Sequence, residues 1–429
     1  MGTKRLRGWI AAFACIAMLL PSGCGKSDSN GANARINALS NNQRDAIATN
    51  IDSSLVQASN QFGIRLHEQL AQANQEQNLF ICPLSISTAI AMAYNGANGA
   101  TQREIAATMG WTKHTLNAIN SSYSQILDLQ VQPGTGIDLQ LANSMWLKPK
   151  MKIQKPFQQA LQNSYDAQAS EVDWTNAEDT ANQINNWVSK HTNGMIPTLL
   201  DPNAIDPSVV MMLLNAIYFK GEWQTPFEKT LTKEAPFHMG SGRTATASYM
   251  NQSGRYEHTR GEGYEAIRLP YGEGQMSMLI VLPGPKTPLA EIEKQITEGK
   301  LPLGKRWERE YGAVHLPKFK IEYASSLNQS LEALGIHAAF SPADADLSGI
   351  TGVPGLYIDS VIHKSIIEVA EQGTEAAAVT SIAVGEAGAA TPLPEPFDMR
   401  IDRPFFFLIE DVKSGLWLFT GSVYQPVES

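Results

Sequence analysis

Residues 368–380 read Glu-Val-Ala-Glu-Gln-Gly-Thr-Glu-Ala-Ala-Ala-Val-Thr, and no other stretch says more about the architecture of the chain. From Ala376 to Gly385 every residue is small or apolar and uncharged, whereas the flanks are typical of an exposed loop. In an extended strand, alternate side chains share a face, which here would carry Thr374, Ala376, Ala378, Thr380 and Ile382. Because none of these is charged, the strand could enter a sheet without a large desolvation cost. Propensity alone would instead favour a helical turn for the alanines.

The 429-residue chain has an ordinary globular composition, with 43% hydrophobic and 17% charged residues, which is ample material for a large core. Its formal net charge of -9 argues against nucleic acid or an acidic membrane surface as the main partner. The three cysteines, Cys15, Cys24 and Cys82, show neither metal-ligand spacing nor a Cys-x-x-Cys motif. Since Cys15 falls in an N-terminal leader, we expect no disulfide framework in the folded domain.

The N-terminus is typical of a signal peptide. Three basic residues precede an apolar run over 9–20, which is too short for a mature transmembrane helix. The run ends in Leu20-Pro-Ser-Gly-Cys24, which resembles the lipobox of bacterial lipoproteins, although Pro21 departs from that pattern. In such proteins the cysteine is lipidated and becomes the first residue.

We therefore predict a lipoprotein signal peptide over residues 1–23, lipidation of Cys24 and a flexible tether over 24–50, which is rich in Ser, Asn, Ala and Gly. The exported protein would then be an outer-membrane or cell-surface lipoprotein that touches the membrane only through its lipid. Ordinary signal-peptide cleavage near Gly23 or Gly25 is the alternative, and it would give a secreted or periplasmic protein.

Apolar periodicity predicts one mixed α+β domain over residues 51–429, without an internal repeat or a dividing linker. Helices are expected over 51–72, 85–94, 157–165, 179–192, 289–296 and 326–334. Strands are expected over 139–147, 169–174, 209–219, 360–369, 399–409 and 416–423, with several antiparallel strands between 235 and 283. The run 209–219 is apolar except for Asn215, which predicts a strand buried on both faces.

Several motifs occur in the order that one protein family shows. Residues 371–378, Glu-Gln-Gly-Thr-Glu-Ala-Ala-Ala, resemble the hinge of the serpins, the serine protease inhibitors whose reactive loop inserts into their own central sheet. Further matches are Asn78-Leu-Phe-Ile-Cys-Pro-Leu-Ser85, Asn215-Ala-Ile-Tyr-Phe-Lys-Gly-Glu-Trp223, Val314-His-Leu-Pro-Lys318-Phe, Ile362-His363-Lys364 and Asp402-Arg403-Pro404-Phe405. The resemblance covers nearly all of residues 51–429. It implies the serpin fold, with three β-sheets, about eight to nine helices and an exposed reactive-centre loop at about 371–400.

The resemblance also implies roles for single residues. The hinge would comprise Glu371, Gly373, Thr374, Glu375, Ala376, Ala377 and Ala378. A hydrogen-bonded shutter beneath the opening sheet would comprise Ser85, Asn215 and His363. Cys82 stands where the family usually has a serine, and a thiol is a poor substitute for a hydroxyl in a buried network.

The loop would first enter the sheet at a breach formed by Trp223 and Lys318. Lys318 and Glu371 could form an ion pair there. The alternative is a solvated surface pair of little energetic weight.

Enzyme chemistry finds no support in the sequence. We see no nucleophile elbow, zinc-protease motif, phosphate-binding loop or dinucleotide fingerprint. His67-Glu68 lies on an amphipathic helix without a second histidine four residues on, so we expect it on a solvated face. We predict that the chain is not an enzyme and needs neither a metal nor a cofactor.

The resemblance implies an irreversible suicide-substrate inhibitor of serine proteases, which acts by loop cleavage and insertion. The alternative is a non-inhibitory serpin-fold binding or carrier protein, whose hinge tends to contain charged, bulky or proline residues. Here residues 374–380 contain no proline, and their one charge, Glu375, lies on the outward-facing set. The hinge therefore favours inhibition.

The cleaved bond follows from spacing. The family's usual distance from Glu371 places it between Ala387 and Gly388, whereas counting back from Pro404 reaches Leu393, so the range Val384–Leu393 stays open. No lysine or arginine occurs between Lys364 and Arg400, which argues against trypsin-type proteases. We expect a monomeric inhibitor of elastase-like serine proteases with a small apolar specificity pocket, with papain-like cysteine proteases as further possible targets.

Overall fold

The structure, a computed structural model, describes residues 40–131, 134–240, 242–374 and 395–427. The helices in this part of the chain are α1 Asn41–Asn50, α2 Ser53–Ala73, α3 Pro83–Tyr94, α4 Gly99–Met109, α5 Leu116–Val131, α6 Lys155–Tyr165, α7 Ala177–His191, α8 Leu289–Thr297, α9 Asn328–Ala333 and α10 Ser348–Thr351. The strands are β1 Leu79–Ile81, β2 Ile137–Leu147, β3 Ala169–Glu171, β4 Met211–Glu222, β5 Lys233–His238, β6 Thr244–Gly261, β7 Tyr264–Tyr271, β8 Met276–Pro283, β9 Arg309–Pro317, β10 Phe319–Ser326, β11 Ser360–Ala370, β12 Gly373–Thr374, β13 Phe397–Arg400, β14 Phe405–Asp411 and β15 Trp417–Val423.

A six-stranded sheet has the order β10-β11-β12-β4-β2-β3. Its central strand β4 contains most of the run predicted from the sequence, which is apolar apart from Asn215, and both of its faces are buried. Met211, Leu213 and Ile217 pack into the main core, whereas Met212 and Leu214 pack into a second core beneath α7. Side chains alternate across a strand, so covering both faces requires a nearly continuous apolar sequence.

The remaining strands form one nine-stranded sheet, with the order β1-β15-β14-β8-β7-β6-β9-β13 and with β5 paired to β6. Three sheets were expected. The long strand β6 accounts for the difference, because its first part pairs with β5, its middle with β9 and its end with β7. One continuous strand therefore joins two layers into a single hydrogen-bonded sheet. The described residues also contain ten helices, where eight or nine were expected.

Helix α3 occupies the centre of the molecule, and every one of its residues is buried. A helix with only apolar and small hydroxyl side chains on all sides is stable in such a place. It packs against β2, β4 and β15, and therefore connects the two sheets. Its N-terminus presents Ser85 to the six-stranded sheet.

The expectation of a solvated His67 is wrong. This α2 side chain is fully buried, and its ring nitrogens lie 3.0 Å from the Thr420 hydroxyl and 2.9 Å from the Ser422 hydroxyl, both on β15. Buried polar groups require such partners. The sequence could not reveal them, because β15 lies about 350 positions further along the chain.

The predicted tether also extends too far, because α1 occupies residues 41–50 of the range 24–50. Ser40 and Gln43 form a reciprocal capping box at its N-terminus. The Arg44 guanidinium is 6% exposed and donates to the Leu129 carbonyl at 2.8 Å. Residues 40–50 therefore belong to the folded domain rather than to a tether.

Two further boundaries differ from expectation. The predicted strand 399–409 is interrupted, because residues 401–404 separate β13 from β14 and include Pro404, which cannot donate to a ladder. Helices α4 and α5 were not predicted as separate elements. Among the described residues, no helix is both long and apolar enough to cross a membrane.

Candidate functional site

The first hinge residues lie inside the six-stranded sheet. Gly373 and Thr374 form β12, which pairs with Ala370 and Val369 of β11 on one side and with the end of β4 on the other. The Thr374 side chain is fully buried, and its hydroxyl lies 2.9 Å from the Tyr271 hydroxyl. The loop-insertion mechanism implied by the resemblance predicts that Thr374 faces the core once the loop inserts, whereas it already does so in this state.

The backbone at Gly373 requires glycine. Its φ of +140° lies in a region that other residues rarely adopt. A Cβ there would lie 2.0 Å from the Gly221 carbonyl oxygen and 2.6 Å from the Glu222 Cα. Both are backbone atoms of β4, so neither could rotate away.

Trp223 and Phe227 hold the three residues that precede β12. The Trp223 indole donates to the Ala370 carbonyl at 3.0 Å, and its backbone N–H donates to the Gln372 carbonyl at 3.0 Å. The Phe227 N–H donates to the Glu371 carbonyl at 2.8 Å. The Trp223 indole also stacks on the Tyr271 ring, with ring centroids 4.4 Å apart. This arrangement fixes the position at which the chain turns into the sheet.

Lys318 and Glu371 form an ion pair, as the first of the two alternatives above expected, with Lys318 Nζ 3.5 Å from Glu371 Oε2. The carboxylate is not a solvated surface group, because Glu371 is only 6% exposed. Burial alone would raise its pKa, but its own backbone N–H, the Thr232 hydroxyl at 2.9 Å and the Lys318 ammonium outweigh that effect and lower the pKa. Glu371 therefore stays ionised at neutral pH.

Ser85, Asn215 and His363 are all fully buried and share one hydrogen-bond network. His363 Nδ1 contacts Asn215 Oδ1, and Asn215 Nδ2 contacts both Ser85 Oγ and Asn143 Oδ1. Ser85 Oγ donates to Asn143 Oδ1 at 2.9 Å. The Cys82 N–H donates to His363 Nε2 at 3.3 Å, so Cys82 joins through its backbone rather than its thiol.

These contacts fix the direction of each hydrogen bond. Because the Cys82 N–H can only donate, His363 Nε2 must accept, and the ring proton belongs on Nδ1. Burial lowers the pKa of His363 to about 3, so the ring is neutral at physiological pH. The Cys82 sulfur accepts from the Ser85 N–H at 3.3 Å and caps α3, while burial raises the pKa of the thiol.

The network crosses a seam between two strands. Strands β4 and β11 pair directly in parallel register from Ser360 with Met212 to Ile366 with Tyr218. His363 and Asn215 lie opposite each other within that register. Above the seam, β12 separates the same two strands. A longer strand that extends β12 between β4 and β11 must break this ladder and the contact between His363 and Asn215.

Sequence reasoning missed two members of the site. Asn143 lies opposite Asn215 in the β2–β4 register, and Tyr271 supports both Trp223 and Thr374. No clear local signal marked Asn143, because β2 also contains Asp138, Gln140 and Ser144. Nothing local marks Tyr271.

The other predicted site residues lie outside the described residues. They are the hinge residues Glu375, Ala376, Ala377 and Ala378, the proposed reactive bond Ala387–Gly388, and Cys24. Within the described ranges, no group of His, Cys, Asp or Glu side chains could hold a metal ion.

The comparisons with known proteins agree with one another. The family profile described as Serpin (serine protease inhibitor) matches residues 57–426. The chain is 35% identical to a leukocyte elastase inhibitor of Equus caballus over 86% of this chain and 98% of the relative. It is 36% identical to leukocyte elastase inhibitor A of Mus musculus, over 87% and 99%.

Solved structures give the same result. The fold matches that of tengpin, a thermophilic serpin in its native state, with a TM-score of 0.79, 31% identity and coverage of 88% of this chain and 95% of tengpin. It also matches Serpin48 of Tenebrio molitor, with a TM-score of 0.79, 29% identity and coverage of 88% and 99%. The chain therefore belongs to the serpin family of serine protease inhibitors.

Proposed function

We propose that this chain inhibits serine proteases irreversibly, as a suicide substrate whose cleaved loop inserts into the six-stranded sheet. One observation carries the proposal. Gly373 and Thr374 already form a strand between β4 and β11, directly above a seam that a longer strand could open. The route for insertion therefore begins where the reactive loop begins.

The proposed reaction starts as ordinary proteolysis. The protease nucleophile attacks the carbonyl carbon of Ala387, the bond to the Gly388 nitrogen breaks, and an acyl-enzyme remains on Ala387. The freed arm, residues 375–387, then enters between β4 and β11 as an extension of β12. An extended arm of that length spans about 40 Å, so the attached protease would be carried along the sheet before the ester is hydrolysed.

The sequence of the arm supports this step. Its inward-facing set after Thr374 is Ala376, Ala378, Thr380 and Ile382, all uncharged. Each would enter the sheet without burying a charge. The outward-facing Glu375 would stay at the surface.

The proposed target is an elastase-like serine protease. Ala387 is small, and no lysine or arginine occurs between Lys364 and Arg400. A shallow apolar pocket accepts such a residue, whereas a trypsin pocket requires a cation. The names of the horse and mouse relatives, leukocyte elastase inhibitors, point the same way. Papain-like cysteine proteases, which use the same acyl chemistry, are a further proposed class of target.

We also propose that the chain is an exported bacterial lipoprotein attached through Cys24, on the outer membrane or cell surface, and that it acts as a monomer. The support is the basic leader, the apolar run over 9–20 and the lipobox-like Leu20-Pro-Ser-Gly-Cys24. Labelling with a fatty-acid analogue should mark the wild type and not Cys24→Ser. Equal labelling of both proteins would contradict the assignment.

The inhibitory function is tested with pancreatic elastase and trypsin on a denaturing gel. We expect a stable covalent complex with elastase, none with trypsin, and mass spectrometry should locate the cleaved bond at Ala387–Gly388. Ala387→Arg should transfer complex formation to trypsin, which makes it a matched variant with an unchanged hinge. Elastase cleavage without a complex, and without a higher melting temperature of the cleaved protein, would instead favour a non-inhibitory binding or carrier protein.

A further inference from the structure

A cavity of about 390 Å³ opens beside the breach. Its walls come from the segment 223–227, from β6 and β7, and from Arg306 and Arg309 near the start of β9. Cavities of this size hold small organic molecules. Neither the proposed protease contact nor loop insertion uses it.

The cavity carries an excess of positive charge. Four arginines line it, Arg255, Arg268, Arg306 and Arg309, but only two carboxylates, Glu257 and Glu273. The excess is notable in a chain whose formal net charge is -9. An anion would therefore be favoured here over a neutral or cationic molecule.

Two of the arginines are already satisfied. Arg268 lies 3.3 Å from Glu257 and 2.7 Å from Glu410, and Arg306 lies 2.9 Å from the other oxygen of Glu257. Arg309 lies opposite Glu257 in the β6–β9 register, but the recorded ion pairs of Glu257 are with Arg268 and Arg306.

Arg255 and Arg309 are the available cations. They lie on neighbouring strands, and because Arg255 and Glu257 are two residues apart, Arg309 shares a face with both. Both guanidinium side chains are exposed, and no described residue holds either one in an ion pair. A guanidinium offers paired donors that match a carboxylate, sulfonate or phosphate group.

Apolar side chains also contribute to the lining, namely Trp223, Phe227, Leu269 and Pro270. A ligand that contacts both them and the arginines must combine an acidic group with an apolar body. We propose that this cavity binds an amphipathic organic anion and that occupancy is transmitted to the hinge.

The connection to the hinge is direct. Trp223 and Phe227 face the cavity and also donate hydrogen bonds to the carbonyls of residues 370–372. A ligand packed against these two side chains stabilises the arrangement that holds β12 in the sheet. The ligand shifts the equilibrium between β12 inside the sheet and β12 expelled only if it binds the first state more tightly than the second. The consequence for inhibition rests on the proposed function, whereas binding and hinge exchange do not.

Binding is tested by calorimetry with three probes: naphthalene sulfonate, uncharged naphthalene methanol and inorganic sulfate. Naphthalene sulfonate should bind, and its affinity should fall as salt is added because the two cations are exposed. Arg255→Gln and Arg309→Gln should each weaken binding by about tenfold. Arg103→Gln, an exposed arginine of α4 outside the cavity, should change nothing. Equal binding of the uncharged probe, or unchanged affinity in the double variant, would overturn the site.

Transmission is tested by hydrogen exchange of the segment 369–374, without any protease. At ten times the dissociation constant, naphthalene sulfonate should slow exchange of the Thr374 amide by about tenfold if hinge release abolishes binding. The Arg255→Gln/Arg309→Gln double variant should show no slowing. Unchanged exchange in the saturated wild type would overturn transmission. If the protein binds the probe with slowed exchange but forms no protease complex, the proposed function fails while this inference stands.

Discussion

Replacing Gly373 by alanine tests whether β12 must lie in the sheet for the hinge to work. The added Cβ would lie 2.0 Å from the Gly221 oxygen, 2.6 Å from the Glu222 Cα and 2.8 Å from the Trp223 nitrogen. All three are backbone atoms, so relief requires movement of β4 or expulsion of the hinge. The φ of +140° adds strain for any residue with a Cβ.

The magnitudes favour expulsion. Backbone strain at such a position costs about 1–3 kcal/mol, and overpacking costs about another 1–3 kcal/mol. The interactions that hold the two-residue strand do not exceed the upper part of that range. Its few hydrogen bonds contribute about 1 kcal/mol each, and the Thr374–Tyr271 contact is one of them. We therefore expect Gly373→Ala to fold with residues 373 and 374 outside the sheet.

Two measurements follow from that expectation. Hydrogen exchange of residues 373 and 374 should rise to the rate of an exposed loop, while β4 and the β10–β11 pairing stay protected. Elastase should still cleave the loop, but insertion should start slowly, and most of the inhibitor should be consumed as substrate. The stoichiometry of inhibition should rise several-fold above that of the wild type.

Gly355→Ala is the matched control. Gly355 also has a positive φ, +97°, but a Cβ there would meet nothing within 4 Å. It shares the backbone strain without the collision, and it should leave hinge exchange and stoichiometry unchanged. If Gly373→Ala keeps wild-type protection at Thr374 together with wild-type stoichiometry, the role assigned to β12 is incorrect.

Three further changes probe the shutter and the breach. The pKa of His363 is about 3 in the folded protein, against an ordinary histidine value of 6.5. The unfolded protein therefore takes up a proton more readily, so the free energy of unfolding should be highest above pH 6.5 and fall as the pH drops. The fall should reach roughly 2 kcal/mol by pH 5 in urea unfolding of the wild type, and His363→Gln should not show it. Cys82→Ser should raise stability by about 0.5–1 kcal/mol, since a hydroxyl caps a helix better than a thiol; a lower urea midpoint would contradict this. Lys318→Met should lower the free energy of unfolding by roughly 1 kcal/mol at pH 7. The loss should be smaller at an acidic pH at which Glu371 is protonated. An equal loss at pH 7 and at the acidic pH would argue against the ion pair.

Sequence patterns were sufficient for those parts of the fold that depend on short segments. The run of β4, apolar apart from Asn215, predicted a strand buried on both faces, and the structure has it. Ser85, Asn215 and His363, which the resemblance implied as a shutter, share one hydrogen-bond network, and their role as a shutter stays a prediction. Each of the three residues lies in a short motif that can be recognised locally. That the three motifs lie side by side in the fold came from the family resemblance, because periodicity within one sequence carries no information about distant pairs.

Features that depend on distant partners were missed for a physical reason. His67 has the local sequence of a solvated helix face, and only the hydroxyls of Thr420 and Ser422 on β15 make its burial possible. The position of Thr374 likewise depends on an equilibrium between two states, one with β12 inside the sheet and one with β12 outside it. Its sequence permits burial, but whether it is buried before cleavage depends on how well Trp223 and Tyr271 hold the hinge.

The direct pairing of β4 with β11 explains how the state with only two loop residues in the sheet can persist. Completing the sheet would exchange one parallel ladder for two antiparallel ladders, with more hydrogen bonds and more buried surface, so equilibrium favours insertion. The barrier is the prior opening of the seam, where His363 and Asn215 would lose their contact while still buried. Leaving buried polar groups without partners costs about 1–3 kcal/mol each. The shutter therefore opposes the transition state more than the end state, and it should control the rate of insertion, while the uncharged inward face of the loop supplies the driving force.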